Sequence, residues 1–516
     1  MKSFLDGQYV HLLQLLKAII TEQPNVSIPT LAEKFSMAPG TTNGLIKQLR
    51  EDLKPYTLDI HKNESGLITL TESGRTTLVK TAYSNTVYQQ LMMRYLNKSK
   101  IFFMLLTLLN EGAVDRQTFC DKMFISQATF SRYRRRVTEL LNQYYLGLNS
   151  QNSILGDETQ IVMFFTALLT ESGYTSYLSQ TNPDYQGVAQ FVAQAPFTKT
   201  AIDGQDYSRV VAFHYVLFKR RRFAGATSLP DLTPYLTGPL DEIACFTEAF
   251  GKWGHLELAK IQALTTFFFY RVGLLQVADA EQDRLLATVI GSDRIVLDLA
   301  QHELKHIPEY QPFFTAGTDE NQRYGALIRQ TFTKLMLICK FGFINPHTFH
   351  LLDQHEIPLY TTPDEQAHYE HLKTAISHCF NQLNGADWTL QIDFFSRSIF
   401  LLLSSIKSDY ALTQEPPHVS IFIQQGNNRE LVQLIEAKLQ LIFGQDKIVF
   451  SKNVNDADIV LVNNIIDLVQ ESAVKDPESL LNDRRLHLYS LTELTNTSYF
   501  NKLINDLTTA LLSRVS

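Results

Sequence analysis

The chain has 516 residues, which at about 150 residues per domain is enough for three or four domains. Its content of 45% hydrophobic and 19% charged residues excludes a disordered, fibrous or collagen-like chain. The net charge of -7 is unevenly divided along the chain. Residues 1–150, here called the basic head, contain 18 Lys and Arg and 12 Asp and Glu, which gives a charge of +6. Residues 151–516, here called the acidic body, contain the other 28 Lys and Arg and 41 Asp and Glu, which gives a charge of -13.

The first part of the basic head, residues 1–85, has the pattern of a winged helix-turn-helix domain. Leucine and isoleucine recur at helical spacing over residues 12–20, Ser27 is placed to cap a short second helix, and a third helix follows to about Leu53. Apolar and polar residues alternate over residues 58–62 and 66–70, which predicts a hairpin wing. We expect this unit to contact DNA through Asn43, Lys47, Arg50 and Lys62.

A second helix-turn-helix unit is predicted over residues 86–158. An apolar helix over residues 101–109 is followed by a short helix that Asp115 can cap, a turn over residues 123–125, and a long helix that Ser126 can cap and that runs to about Tyr144. Four residues at helical spacing should face the core: Phe130, Tyr133, Val137 and Leu140. We expect the opposite face of this helix to meet the DNA major groove and its phosphates through Gln127, Thr129, Ser131, Arg132, Arg135 and Arg136.

A charged helix face by itself is often only solvated, but here the whole unit is repeated within the one basic part of the chain, which favours DNA binding. Gly40 and Gly44 weaken the third helix of the first unit by about 1 kcal/mol each relative to alanine. The second unit is therefore favoured as the main reader of DNA.

The acidic body changes character along its length. Residues 160–405 consist of apolar-periodic segments separated by Pro, Gly and Asn, which predicts two helical bundles with a boundary near residues 279–293. The last hundred residues predict an α/β domain with a parallel sheet. Its strands are expected at residues 419–423, 447–450, 459–462 and 486–489, and its helices at 429–443 and 498–513.

The segment Phe-Ile-Ser-Gln-Ala-Thr-Phe-Ser-Arg-Tyr-Arg-Arg-Arg-Val at residues 124–137, followed by a wing and Gly156-Asp157-Glu158, resembles the second DNA-binding unit of the Mga/AtxA family of transcriptional regulators from Gram-positive bacteria. The order of the predicted parts agrees with that family. The resemblance implies a mainly α, multidomain chain: two N-terminal helix-turn-helix domains, two helical phosphotransferase regulation domains (PRDs) at residues 159–285 and 286–412, and an α/β domain like enzyme IIB at 413–516.

The family also implies phosphorylation of PRD histidines by a phosphocarrier protein or an enzyme II component of the sugar phosphotransferase system. His214 is followed by Arg221 after seven residues and by Gly225 after eleven, which resembles the PRD pattern, and the arginines at 220–222 could hold a phosphate. In the second bundle His371 and His378 are the candidates, with His378 preferred, although no arginine follows at that spacing.

The C-terminal domain departs from enzyme IIB in one respect. The loop after its first strand, residues 424–427, holds no cysteine, because all four cysteines of the chain lie upstream. Transfer of phosphate through cysteine is therefore excluded, and the resemblance implies a role in self-association. The wide spacing of the cysteines fits reduced thiols.

One motif favours a different class of protein. Residues 302–306, His302-Glu303-Leu304-Lys305-His306, match H-E-x-x-H, in which two histidines bind zinc and the glutamate acts as general base. A charged lysine stands where zinc-protease helices keep an uncharged residue, and Pro308 would end the helix just beyond the site. A zinc metalloprotease is therefore the least favoured alternative.

Together these patterns predict a DNA-binding transcription regulator that binds promoter DNA. The resemblance to the Mga/AtxA family implies an activator and virulence regulator that forms a homodimer or a higher oligomer through the PRDs and the C-terminal domain. We expect no enzymatic activity, cofactor or metal, and a cytoplasmic location, because no apolar run approaches 20 residues and no secretory signal opens the chain. Two alternatives stay open: a PRD protein that acts mainly through protein contacts, and an RNA-binding antiterminator, which the helical repeat of residues 1–145 disfavours.

Overall fold

The computed structural model describes most of the chain. The described parts are residues 2–22, 26–63, 66–72, 81–195, 204–223, 225–290, 319–344, 363–381, 388–409, 419–424, 429–444, 447–451, 454, 457–462, 487–491, 494 and 497–515. The protein is mainly helical, as the sequence predicts. Among the described residues no helix is both long and apolar enough to cross a lipid bilayer.

The first unit is a winged helix-turn-helix fold. Its helices are α1 (Gly7–Glu22), α2 (Ile28–Lys34) and α3 (Pro39–Leu53), and its strands are β1 (Val26–Ser27), β2 (Leu58–Lys62) and β3 (Leu67–Glu72). The central strand β3 pairs antiparallel with both β1 and β2. Thr42, Ile46, Leu49 and Leu53 of α3 are buried against α1, which buries nearly all of its leucines and isoleucines. The predicted order of helices and the hairpin wing are present.

The second unit repeats this order. A long connecting helix, α4 (Thr81–Lys98), leads into α5 (Lys100–Glu111), α6 (Arg116–Met123) and α7 (Gln127–Asn142). The wing is a pair of two-residue antiparallel strands, β4 (Gly147–Leu148) and β5 (Ile154–Leu155). Helix α7 ends two residues before the predicted Tyr144, whose side chain is instead fully buried.

A glycine fixes the contact between the second unit and the helices that follow. Gly112 ends α5 with a φ of +75°, and a Cβ at this position would lie 2.6 Å from the ring of Phe223. No other residue fits this approach without displacing the ring. The second unit is thereby packed directly on the acidic body.

The next six helices form the first bundle. Its core is rich in phenylalanine, with Phe213 and Phe268 stacked at 4.0 Å between ring centroids. The small strands β6 (Leu236–Thr237) and β7 (Gln276–Val277) pair antiparallel beside it. The helices are α8 (Glu158–Glu171), α9 (Tyr174–Thr181), α10 (Pro183–Val192), α11 (Gly204–Arg220), α12 (Leu240–Gly254) and α13 (Leu258–Val272).

The second group of helices follows the short helix α14 (Gln282–Leu285) and a π-helical turn at Leu286–Ile290. It consists of α15 (Asp319–Phe341), α16 (Pro363–Phe380) and α17 (Thr389–Asp409). Aromatic residues join them, for example Phe332 and Phe395, whose rings meet edge to face at 5.0 Å. The predicted domain boundaries at 85, 158, 285 and 412 stay predictions.

The C-terminal part is an α/β unit with a parallel sheet, as the sequence predicts. Strands β8 (Val419–Ile423), β9 (Ile448–Ser451), β10 (Ile459–Val462) and β11 (His487–Ser490) lie in the order β11-β10-β8-β9, with every neighbouring pair parallel. Helices α18 (Arg429–Phe443) and α19 (Thr497–Val515) accompany them. Helix α18 packs against α17, which ties this unit to the second group of helices. The likeness to enzyme IIB stays a prediction.

Candidate nucleic-acid interface

The start of helix α7 is fixed by side-chain capping. Ser126 has extended backbone angles, and its Oγ accepts a hydrogen bond from the backbone N–H of Thr129 at 3.2 Å. Asp115 caps α6 in the same way, by accepting from the N–H of Thr118 at 2.8 Å. Both caps were predicted from the sequence. They satisfy donors that would otherwise be exposed at the helix ends, and so define where each helix begins.

The two faces of α7 differ in burial as predicted. Phe130, Val137 and Leu140 are buried, and the ring of Phe130 meets that of Phe119 of α6 edge to face at 5.6 Å. On the other face, Gln127, Ser131, Arg132 and Arg135 are exposed, and Thr129 is half-buried. This leaves a polar and cationic surface at the amino-terminal half of a helix, the arrangement by which helix-turn-helix domains read the major groove.

The arginines of α7 are not equivalent. Arg132 donates a hydrogen bond to Oγ1 of Thr129 at 3.1 Å. The Nε of Arg135 lies 3.3 Å from a carboxylate oxygen of Glu139 one turn away, and the side chains of Arg135 and Glu139 are largely exposed. Such exposed pairs are weak and are readily exchanged for a stronger anion. Arg136 instead reaches the backbone oxygen of Leu5 in the first unit at 3.5 Å. Arg132 and Arg135 are therefore the cations best placed to meet phosphate or bases.

Tyr133 packs against the hydrophobic core, as predicted, but it is only half-buried. Its side chain also meets Asp6 of the first unit. Burial raises the pKa of Asp6, an effect offset by Lys100 at 3.8 Å and by Arg136. One side of α7 is thus used to hold the two units of the basic head together.

Arg134 was not assigned a role from the sequence. Its Nε donates to Oδ1 of Asn152 at 2.7 Å, and its Nη2 donates to the backbone oxygen of Asn149 at 2.8 Å. Both partners lie in the wing, so this arginine fixes the wing to α7. The alternation of roles along residues 132–136 follows from the helical period, but the partner of Arg134 lies too far along the chain for the sequence to indicate it.

The first unit presents a weaker surface. Asn43 and Lys47 are exposed on α3, and Lys62 is exposed near the end of β2. Arg50 is held by Asp59 of β2 through two hydrogen bonds of 2.7 and 2.9 Å, and these lower the pKa of the Asp59 carboxyl. Helix α3 starts with Pro39 after Ala38, without a side-chain cap. Helix α3 is continuous through Gly40 and Gly44, but its arginine, Arg50, is already paired with Asp59.

The turn between α2 and α3 of the first unit, and the turn between α6 and α7 of the second, each contain a residue with left-handed backbone angles. In the first unit this residue is Ser36, with a φ of +52°, and in the second unit it is Phe124, also with a φ of +52°. Each lies two residues before the N-cap of the following helix. The side chain of Phe124 is 95% exposed.

The predicted phosphorylation site His214 lies in α11 and is fully buried. Its Nδ1 lies 2.7 Å from the backbone oxygen of Val210 and must donate to it, since a carbonyl oxygen only accepts. Nε2 therefore carries the lone pair, and it finds no partner among the described residues. The rings of Phe246 and Phe250 each lie 4.9 Å from the imidazole. Burial lowers the pKa of His214 to about 4, which keeps the ring neutral.

The arginines expected to help His214 have other partners. Arg220 makes a buried bidentate ion pair with Glu158 at 2.9 and 2.8 Å, and Glu158 also accepts from the N–H of Gly225 at 3.0 Å. Arg221 lies 3.7 Å from the ring centroid of Phe218. Arg220, Gly225 and Glu158 thus form a structural joint between α8 and the end of α11, while Arg221, the arginine of the predicted spacing, packs on Phe218.

The other sequence candidates lie apart from this site. His371 and His378 are both exposed on α16. The H-E-x-x-H segment with His302, Glu303 and His306 lies outside the described residues. Within the parts of the chain that are described, no group of three or more His, Cys, Asp or Glu residues could hold a metal ion.

Comparison with known families identifies the second unit. Residues 84–169 match the family model described as the Mga helix-turn-helix domain. The matched segment extends from α4 to α8 and includes both capped helices and the wing. A search of curated proteins finds none that matches the chain. The predicted resemblance is confirmed: the chain is consistent with a Mga-like regulator family, and its helix-turn-helix domain indicates a DNA-binding transcription regulator.

Proposed function

We propose that this chain regulates transcription by binding promoter DNA with helix α7 as its main reading element. The observation that carries the proposal is the exposed face of α7, where Gln127, Ser131, Arg132 and Arg135 follow a Ser126-capped amino terminus inside the segment that matches the Mga helix-turn-helix domain. Gln127 and Ser131 supply hydrogen-bonding groups for base edges. The arginines supply bidentate contacts to guanine or phosphate.

The distribution of charge supports this assignment. The basic head carries +6 and the acidic body -13, so a polyanion is attracted to one end of the chain and repelled by the other. The first unit adds Asn43, Lys47 and Lys62 as further contacts to the duplex. Because the two units are packed together through Tyr133, Arg136 and the region of Asp6, they would dock as one body on adjacent parts of a site.

Control by the sugar phosphotransferase system is part of the proposal. His214 is a neutral imidazole with the Nε2 lone pair free of any partner among the described residues, which is the state a phosphate acceptor requires. It is enclosed by phenylalanine rings, so a phosphate carrying about -1.5 to -2 charge would not fit the closed bundle. Phosphorylation of His214 would therefore require the bundle to open, which would make the modification a conformational switch.

His378 and His371 would respond differently. Both are exposed on α16, so a phosphocarrier protein or an enzyme II component could reach them without opening the fold. Incubation of the full chain with purified phosphotransfer proteins and phosphoenolpyruvate, followed by mapping of phosphohistidine, separates the sites. Label at His378 or His371 within seconds and label at His214 only after prolonged incubation supports this order, and no label at any of the three overturns phosphotransfer control.

Self-association through the C-terminal unit is also proposed. Among the described strands β9 is the last in the order of the parallel sheet and exposes Val449, while the end of α18 exposes Leu441 and Ile442. Exposed apolar side chains beside the last described strand of a sheet favour pairing with a second copy. Sedimentation velocity of the full chain tests this, with Leu441→Ser and Val449→Lys expected to shift the population toward monomer.

The regulatory role has a direct test in cells. Genome-wide mapping of DNA bound by the chain, combined with transcript levels in a deletion strain, should show bound promoters whose transcription falls when the protein is lost. Transcription that rises at those promoters would identify a repressor, and the absence of bound promoters would overturn the proposal.

A further inference from the structure

Phe124 is the most exposed large hydrophobic side chain among the described residues, at 95%. It also has left-handed backbone angles, with φ +52° and ψ 49°. This conformation is strained for a residue with a Cβ and is usually occupied by glycine or asparagine. Phe124 thus holds an aromatic ring in solvent and also has a backbone conformation that favours glycine or asparagine.

The local fold does not need this ring. The backbone N–H of Phe124 caps α6 by donating to Asp121 and Cys120, and the N–H of Ile125 donates to Cys120 at 3.0 Å. Ile125 is half-buried and supplies the apolar contact of the turn with the core. Glycine at position 124 would make the same cap with less strain.

The first unit provides an internal comparison. Its turn has the same backbone conformation at the same distance from the next helix, but the left-handed residue is Ser36. The turn itself is therefore satisfied by a small polar side chain. The ring of Phe124 distinguishes the second unit, which is the unit with the better-formed reading helix.

The surroundings of Phe124 are those of a DNA-facing surface. It lies three residues before Gln127, the first residue of α7, and two residues after Lys122. Arg116 of the same helix pair donates to the backbone oxygen of Gln127 at 3.4 Å. Asp121, the nearest acid in sequence, has its carboxylate engaged by the Gln117 amide at 3.0 and 3.1 Å. Phe124 is thus a single exposed ring at the turn that leads into the polar and cationic face of α7, where it can reach a duplex groove that this face enters.

We propose that Phe124 is a specificity-determining residue that contacts the 5-methyl group of a thymine in the major groove, beside the amino terminus of α7. Thymine is the one base that offers an apolar group there, and apolar side chains recognise it by contact. The inference rests on the proposed DNA-binding function and adds a base preference to it.

The test removes only the methyl group. A high-affinity duplex is first selected from a random pool with the full chain, and each thymine is then replaced singly by deoxyuridine. Wild type should lose about fourfold in affinity at one position, as expected from about 0.8 kcal/mol for burial of one methyl group. Phe124→Ser, which installs the residue of the first unit, should bind the selected duplex about tenfold more weakly and should be insensitive to deoxyuridine at that position.

Two controls make the result specific. Leu327→Ser removes another exposed apolar side chain, 41% exposed and far along the chain in α15, and should leave DNA affinity unchanged. The thermal midpoint of Phe124→Ser should be no lower than that of wild type, since Ser36 occupies the same backbone conformation.

Wild-type affinity in Phe124→Ser, or a methyl dependence that persists in it, overturns the inference. So does a change of sedimentation coefficient in Phe124→Ser without a change in DNA affinity, which would assign the ring to a contact between protein copies. Failure of the underlying function is distinguishable from these results, because wild type would then bind no duplex and Arg132→Ala would have no effect.

Discussion

Arg50 and Asp59 form a bidentate pair across the first unit, with Nε and Nη2 of the arginine donating to the two carboxylate oxygens at 2.7 and 2.9 Å. The pair joins helix α3 to the wing strand β2 and occupies both donor edges of the guanidinium with one carboxylate, although the arginine stays exposed. In the second unit Arg134 has this joining role, and Arg132 and Arg135 remain exposed. The two units therefore resemble each other in fold but not in how the arginines of their third helices are paired.

The first prediction follows from this difference. Arg50→Ala should change affinity for a selected duplex by less than twofold, whereas Arg132→Ala should weaken it by about 1–3 kcal/mol. Asp59→Asn should strengthen binding slightly and raise the salt slope by about one, because it releases Arg50 for a phosphate contact. Fluorescence anisotropy over a salt series measures all three. Equal losses in Arg50→Ala and Arg132→Ala would contradict the assignment of the second unit as the main reader.

The cap at Ser126 gives a second prediction. Ser126→Ala should lower stability by about 1 kcal/mol and weaken DNA binding, because the first turn of α7 carries Gln127 and Thr129. Ser27→Ala is the matched control, since Ser27 caps α2 with the same 3.2 Å bond to the backbone N–H of Thr30. Ser27→Ala should lower stability by a similar amount but should weaken DNA binding less. The comparison uses thermal midpoints and anisotropy, and the account is wrong if the two variants lose DNA affinity equally.

These caps show what the sequence could predict. Ser27, Asp115 and Ser126 were identified because capping depends on residues three positions apart, and the strands of the C-terminal sheet were identified because short apolar runs between polar loops have few other interpretations. Both signals are local in the chain.

The relationships that were missed are long-range. Arg134 with Asn152, Tyr133 with Asp6, and Arg220 with Glu158 each depend on how distant segments meet. The His214 pattern indicated a histidine near an arginine and a glycine. It did not indicate that the histidine is enclosed by Phe246 and Phe250, because those rings come from another helix.

His214 gives a prediction about pH. Its pKa is lowered by burial to about 4 in the folded chain, against an ordinary value of 6.5. Below pH 6.5 the unfolded chain therefore binds a proton that the folded chain refuses, so stability falls as pH drops from about 6.5 to 4. The loss is on the order of 3 kcal/mol for this group.

The variant His214→Leu removes this proton uptake with a side chain closer in volume to imidazole than a phenyl ring is. Its thermal midpoint should fall less than that of wild type between pH 6.5 and pH 4, with a value at pH 7.5 close to wild type. Parallel pH dependence in both proteins would show that His214 is not the buried neutral group described above.

The buried pair of Glu158 and Arg220 gives a further prediction. The carboxylate oxygens and guanidinium nitrogens lie 2.8 and 2.9 Å apart, and both side chains are almost fully buried. Glu158→Leu or Arg220→Met alone leaves one buried charge without its partner, so each should lower the free energy of unfolding by about 3–5 kcal/mol. The double variant should recover much of that loss. Scanning calorimetry of the full chain measures the unfolding transition of the two single variants and of the double variant. A loss in the double variant equal to the sum of the two single losses would contradict a coupled pair.

We expect the exposed arginines of α7, Arg132 and Arg135, to supply the main cationic contacts to DNA. The decisive measurement is the salt dependence of affinity for a selected duplex in Arg132→Ala/Arg135→Ala, beside Arg284→Ala/Arg329→Ala, which removes two exposed arginines of the acidic body. We expect the α7 double variant to bind at least tenfold more weakly and its slope to fall by about one to two, with the control unchanged. An unchanged slope and affinity in the α7 variant would contradict the account.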